Sequence, residues 1–218
     1  AGFYKDSEAN LMLQIQGKEL SYNNINDVDA AFDLVSEFDN GTFACAIVKH
    51  ANPCGVALGE SQDEAYRKAF NCDQASAFGG IIALNTCIEK ETAELILNTF
   101  TEVLIAPDCT EESKKLLQKN KALRVLITGD LSKQNNFSLT WKKVHGGVLL
   151  QEEDNNAISL NDIKFVTRRV PKDTELVDLM FAWKVAKHVK TNAIEIVKNQ
   201  TTTKIRTRHM KKADRSTK

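Results

Sequence analysis

Residues 43–55 read FACAIVKHANPCG. Six apolar residues, Phe43 to Val48, run without a polar break, which predicts a central strand covered on both faces. Lys49 and His50 follow at once, and Asn52, Pro53 and Gly55 supply the chemistry of a turn. In open α/β folds the residues just past a buried strand stand at the carboxyl edge of the sheet, where ligands bind. Lys49 and His50 are therefore expected at that edge.

Upstream, short β-like pieces at Leu11–Ile15 and Glu19–Leu20 flank Gly17. Val28, Ala31, Phe32, Val35 and Phe38 recur at helical spacing, so residues 27–38 are expected as an amphipathic helix. Asn24 or Asn26 is its expected cap, with Asp27 and Asp29 near its positive end and Asp39, Asn40 and Gly41 ending it. Downstream, Ser61 and Glu64 have the spacing of a capping box for a helix carrying Ala65, Tyr66, Ala69 and Phe70. Strands are expected at Ile81–Leu84, Glu102–Ala106 and Ala122–Ile127, with helices at Glu89–Phe100 and Glu111–Gln118 between them. That alternation is the signature of an α/β sheet domain.

The rhythm changes after Gly129. Trp141–Leu150, with Gly146-Gly147 inside, reads as extended, and Gln151–Asn161 as a polar linker. Ile163–Val166 and Ala193–Val197 read as strands around a long helix capped by Asp173 or Thr174. The expected organisation is a first unit over 1–150, a linker and incomplete second unit over 151–198, and a basic, unpacked tail over 199–218. No repeat at a fixed short period is visible.

Net charge is zero, so the overall field favours no charged partner. From Lys198 onward there are eight Lys or Arg and one acid, Asp214, without aromatic residues, a poor match to a nucleic-acid surface. The five cysteines are odd in number and widely spaced, as reduced thiols of a cytoplasmic protein would be. No run approaches the roughly 18 apolar residues of a membrane span, so no membrane partner is expected. The chain starts at Ala1 without Met and carries only the beginning of a second α/β unit, so it is expected to be a fragment.

Among chemistry-bearing residues, Lys49-His50 stands out. A histidine is a natural base near neutral pH, and an adjacent lysine can hold an anion or a developing oxyanion. A solvated surface pair remains open on the residues alone. His50 with Cys54 has the elements of a thiol nucleophile and its base. A zinc deaminase signature fails, because position 52 is Asn and no Cys stands at 57. Gly79-Gly80 in SAFGG suits either close approach to a ligand or a plain turn. Glu102 is either an exposed acid or an acceptor for a ligand amine. The Lys184, Lys187 and Lys190 stripe reads as a solvated helix face.

Five stretches, ELSYNNINDVDAAFDLVSEF, ACAIVKHANPCGVA, AYRKAFNCDQASAFGGIIALN, EVLIAP and FAWKVAKHVKTNAI, occur in the order of one family. They closely resemble the transformylase portion of the bifunctional purine biosynthesis proteins. Those proteins join an inosine monophosphate (IMP) cyclohydrolase to an aminoimidazole carboxamide ribonucleotide (AICAR) formyltransferase. The resemblance covers about residues 1–200.

It implies a cytidine deaminase-like α/β/α transformylase subdomain plus the start of a second, related one. It implies a cytoplasmic homodimeric transferase, phosphoribosylaminoimidazolecarboxamide formyltransferase. That enzyme passes a formyl group from the co-substrate 10-formyltetrahydrofolate to the 5-amino group of AICAR in IMP biosynthesis, with no metal in the chemistry. Carried over, His50 is the general base and Lys49 the transition-state stabiliser. Asn52, Ser76, Phe78, Gly79, Glu102 and Asn192 are substrate-binding. AICAR and folate are the partners; no nucleic acid or membrane is implied.

These 218 residues are expected to include neither the family's cyclohydrolase domain nor its preceding Arg-Tyr-Gly segment, and KIRTRHMKKAD stands where the family has GIGAGQ and an arginine. The isolated chain is expected to be weakly active or inactive; the alternative is a non-catalytic nucleotide-binding or dimerising remnant.

Overall fold

The computed structural model describes residues 12–39, 41–129 and 139–206. The expected β start at Leu11, the part of Asn40 in ending the first helix, and the basic tail beyond 206 lie outside the described residues. The chain divides into two compact units, 1–131 with 173–218, and 132–172.

The larger unit begins with β1 (Leu13–Gln16) and α1 (Tyr22–Val35). The helix starts earlier than its apolar spacing suggests because Ser21, not Asn24 or Asn26, is the cap. Ser21 Oγ accepts the Asn24 N–H at 3.1 Å, and Asn24 Oδ1 accepts the Ser21 N–H at 3.0 Å.

The apolar run forms β2 (Phe43–Val48), and the chain then reverses at once into β3 (Pro53–Gly59). The expected NPCG turn is thus the first part of a strand, and the turn itself is His50-Ala51. Proline is tolerated there because it is the strand's first residue.

Next come α2 (Gln62–Cys72), α3 (Gln74–Ala77), β4 (Ile81–Leu84), α4 (Lys90–Leu97), β5 (Val103–Ala106), α5 (Glu111–Leu117) and β6 (Arg124–Ile127). Only half of the capping box at Ser61 forms. Its hydroxyl accepts the Glu64 N–H, but the Glu64 carboxylate takes the N–H of Glu60 at 2.7 Å.

The six strands lie in the order β1-β6-β5-β4-β2-β3. β4, β5 and β6 are parallel, whereas β2 runs antiparallel to both β4 and β3. Alternate residues of β2 feed opposite layers. Ala44, Ala46 and Val48 pack with Val28, Ala31, Leu34 and Val35 of α1, while Cys45 and Ile47 pack with Ala65, Tyr66 and Ala69 of α2. The result is an α/β/α sandwich, and β2 is covered on both faces as its unbroken apolar sequence predicts.

The unit resumes with α6 (Asp173–Lys187), β9 (Ile194–Val197) and β10 (Thr202–Arg206). Phe181, Val185 and Val189 join the α1 side of the core, and the Phe38 and Phe181 rings stack 5.4 Å apart. The tail reading is corrected over 199–206. There the chain turns and pairs, and Thr202 is 1% exposed. Thr202 Oγ1 accepts the N–H of Val56 at 2.8 Å and donates to its carbonyl at 3.0 Å, while Leu58 N–H donates to Gln200 at 2.9 Å. The free edge of β3 is thereby occupied, and unpaired edge groups that would otherwise need water are satisfied.

In the smaller unit, β7 (Leu139–Val144) and β8 (Gly147–Glu152) form a hairpin, with Trp141 opposite Leu150. The expected linker therefore begins inside β8. A 3-10 turn follows at Leu160–Asp162, and Ile163–Val166 is not a strand; Val166 is 92% exposed. A tetrapeptide with three β-prone residues, Ile163, Phe165 and Val166, makes a strand only where a partner ladder exists, and none pairs with it among the described residues.

Two outcomes test this packing. Thr202→Val, which keeps the shape but removes both hydrogen bonds to Val56, should lower unfolding free energy by about 1–3 kcal/mol in urea titration; an unchanged midpoint would show that the edge contact contributes nothing. The second concerns Glu195 of β9, whose carboxylate oxygens are buried without a hydrogen-bond partner among the described residues. Burial pushes its pKa from 4.5 up to about 7. The folded state therefore favours the protonated form, and stability falls as pH rises from 4.5 through about 7. Glu195→Gln should be the more stable protein above this window by on the order of 2 kcal/mol, and should lose that advantage at about pH 4. A constant difference in Tm between variant and parent across the window would refute it.

Candidate active site

The site is set by strand direction. Because β2 is antiparallel to β4, its carboxyl end meets the amino ends of the parallel strands. Val48 stands opposite Ile81, Ile81 opposite Val103, and Val103 opposite Arg124. Residues 49–50, 78–80, 102 and 124 therefore gather along one edge. The expectation of a common carboxyl edge holds for β2 alone; for β4, β5 and β6 it is the amino edge.

Lys49 is half-buried and donates from Nζ to the Phe78 carbonyl at 2.6 Å. His50 and Ala51 are the two central residues of the hairpin turn, closed by Lys49 N–H to Asn52 O at 3.0 Å and Asn52 N–H to Lys49 O at 3.3 Å. Both are left-handed, with φ of 56° and 50°. That is the type I′ geometry that suits strand twist, but a β-carbon at each such position costs on the order of 1 kcal/mol or more.

The cost is offset by Asp27 of α1. Its two oxygens accept the N–H of His50 at 2.9 Å and of Ala51 at 2.8 Å. Lys190 closes the turn from the other side, donating from Nζ to the His50 carbonyl at 2.7 Å and from its backbone N–H to Asn52 Oδ1 at 3.0 Å. With its backbone so held, the exposed His50 imidazole projects from a fixed base.

Phe78 and Phe100, both exposed, form a pair with centroids 5.3 Å apart. Gly79, φ 71°, donates its N–H to the Phe100 carbonyl at 2.8 Å, and an added β-carbon would stand 3.4 Å from the Phe100 ring. That φ favours glycine. Ser76 Oγ donates to Asp73 at 2.8 Å in the short α3 segment leading to Phe78. Glu102 N–H donates to Gly80 O at 3.1 Å, and its carboxylate is paired with Arg124 at 2.9 Å. Asn192 is exposed on the connection that Lys190 ties to the turn.

Lys49, His50, Phe78, Gly79 and Glu102 thus share one sheet edge, and Asn52 touches Lys190 instead of facing outward alone. Asp27, Lys190 and Arg124 were not anticipated as site residues. The lysine stripe is corrected as well. Lys184 donates to the Glu37 carbonyl at 2.7 Å, Lys187 and His188 meet the Glu37 carboxylate at 3.0 and 3.2 Å, and Lys190 holds the turn. These contacts lie 138–151 residues apart in sequence, and no local pattern reports them.

The family model described as AICARFT/IMPCHase bienzyme matches residues 1–214. The chain belongs to this family. It is 52% identical to the bifunctional purine biosynthesis protein PurH of Paracoccus denitrificans, over 98% of this chain and 41% of that protein. It is 54% identical to PurH of Roseobacter denitrificans over 92% of this chain and 38% of that protein, and 51% identical to PurH of Brucella ovis over 98% and 41%. The chain therefore spans about two fifths of the length of the curated relatives it matches. No helix among the described residues is long and apolar enough to cross a membrane.

Within this family member the Cys54 thiol is a poor nucleophile. Burial, reinforced by Asp73, pushes it up to about 12. Only the thiolate attacks. Cys54 should remain unmodified by iodoacetamide at neutral pH in the folded protein and react on unfolding; rapid alkylation of native Cys54, followed by peptide mapping, would reopen the thiol reading.

Proposed function

We propose that this chain carries the nucleotide-facing part of an AICAR formyltransferase. The observation that supports it most is the fixed turn that presents His50 beside Lys49, at an edge shared with Gly79 and Glu102. The family match supports the choice of substrates, AICAR and 10-formyltetrahydrofolate, and a place in purine biosynthesis. The fold reading is a cytidine deaminase-like subdomain with the start of a second, related one, in a homodimer.

The AICAR amine is a weak nucleophile, its electrons drawn into the ring and carboxamide. It needs a base and a stabilised oxyanion. In this reading the amine nitrogen attacks the formyl carbon, His50 takes the proton it sheds, and Lys49 faces the developing oxyanion. The bond from carbon to folate N10 then breaks, and tetrahydrofolate leaves with a proton. Lys49 spends one N–H on Phe78 and keeps two for the oxyanion. Gly79 and the Phe78–Phe100 pair offer a close-approach surface for a flat ring. Glu102, Ser76, Asn52 and Asn192 line the nucleotide side.

The test is tetrahydrofolate formation from AICAR and 10-formyltetrahydrofolate. His50→Ala should lower kcat by on the order of 10²-fold or more, with AICAR affinity by calorimetry nearly unchanged. Equal turnover in parent and variant would remove His50 from the role of base. AICAR binding without turnover in the parent would favour a nucleotide-binding role instead.

A further inference from the structure

The left-handed turn at His50 has a twin. α1, β2 and β3 recur as α6, β9 and β10: a helix, then two antiparallel strands joined by a two-residue turn. Ile47-Val48-Lys49-His50 in the first matches Ile196-Val197-Lys198-Asn199 in the second. Asn199 and Gln200 have φ of 53° and 51°, beside 56° and 50° for His50 and Ala51. Lys198 and Thr201 close the second turn at 3.0 and 3.2 Å, as Lys49 and Asn52 close the first.

A carboxylate brackets each turn from the same place on its helix. Asp27 is five residues beyond Tyr22, the first residue of α1, and Asp178 is five beyond Asp173, the first of α6. Asp178 accepts the N–H of Asn199 at 3.0 Å and of Gln200 at 2.7 Å, one on each oxygen. Asp27 does the same for His50 and Ala51.

The device therefore makes left-handed turns from residues other than glycine, and does so whether or not a histidine is present. Two adjacent N–H groups converge on one carboxylate, and a type I′ turn is the conformation that brings them together. At the second turn the bracketed residue is Asn199, which is no base. At the first it is His50. A glycine at the turn would adopt φ near +50° at no steric cost, but it would not be held there.

We propose that Asp27 is the positioning residue of the Lys49-His50 pair: its carboxylate, by holding the His50 and Ala51 N–H groups, fixes where the imidazole stands. The role of His50 rests on the formyl-transfer reading; the bracket itself does not. Apart from Asn26 Nδ2, 3.3 Å from Oδ1, the Asp27 carboxylate holds only the backbone N–H groups of His50 and Ala51, so its effect on chemistry passes through His50. An error of about 1 Å in the placement of a reacting group costs on the order of 10²-fold in rate.

The experiment uses the 218-residue chain and the variants Asp27→Asn, Asp27→Asn with Ala51→Gly, and Asp178→Asn. An asparagine can accept one of the two N–H groups but turns its own N–H₂ toward the other. Hydrogen exchange at positions 50 and 51 should accelerate about tenfold or more in Asp27→Asn and should stay fast when Ala51→Gly is added, because glycine eases the left-handed backbone but supplies no acceptor for the two N–H groups. Turnover should follow: kcat falls on the order of 10²-fold in Asp27→Asn with KM for AICAR changed less than about threefold, and is not restored by Ala51→Gly. Asp178→Asn should speed exchange at Asn199 and Gln200, lower Tm, and leave kcat near the parent value.

Parent-like exchange at His50 and Ala51 in Asp27→Asn would overturn the proposal. So would equal losses of kcat in Asp27→Asn and Asp178→Asn at matched Tm, which would reduce Asp27 to a stability role. A parent without turnover would count against the formyl-transfer reading alone, and the exchange pattern would still decide the bracket.

Discussion

The antiparallel pairing of β2 with β4 is the constraint on which the rest of this structure depends. The register sets Val48 opposite Ile81, so the chain leaving β2 arrives where it enters β4 and β5. In an all-parallel sheet, Lys49 and His50 would have met the carboxyl ends of those strands, far from Gly79 and Glu102. The reversal is made possible by the two-residue turn, which sends β3 back along the outer side of β2 while β4 takes the inner side. β2 is then fully hydrogen-bonded and fully covered, and it serves as the rigid mount for the residues at its end.

Rigidity at that end comes from charge and hydrogen bonding more than from apolar contact. Asp27, Lys190 and the Lys49–Phe78 bond approach the turn from three separate elements. A left-handed pair without glycine needs such over-determination. The packing of α6 and the residues just after it that brings Lys190 to His50 also brings Lys184 and Lys187 to Glu37, just past α1, so this contact supports the core and the turn together. The apolar part of that contact, Phe38 against Phe181 with Val185 and Val189 beside them, sets the spacing at which the lysines can reach.

Much of the fold was legible because burial leaves a local imprint. The unbroken run at 43–48 announced a strand covered on both faces, and the alternation from Ile81 to Ile127 announced the α/β layers. Helix ends were less legible: Ser21 took the cap because its partner Asn24 was three residues away, while Asn24 and Asn26 looked equally suitable. Pro53 and Gly55 read as punctuation and hid β3. Ile163–Val166 had the composition of a strand but no ladder to join, and residues 202–206 had a basic composition but an open edge waiting at β3.

The sequence by itself determined that the strand over 43–48 is covered on both faces, that a lysine-histidine pair follows it, and the family to which the chain belongs. These are encoded in residue types a few positions apart. Tertiary structure alone decided that the pair meets the amino ends of β4 and β5, that Asp27 and Lys190 hold it, and that Glu102 is paired with Arg124. Those outcomes depend on strand direction, register and hydrogen bonds between residues 22 to 140 positions apart, for which periodicity carries no signal.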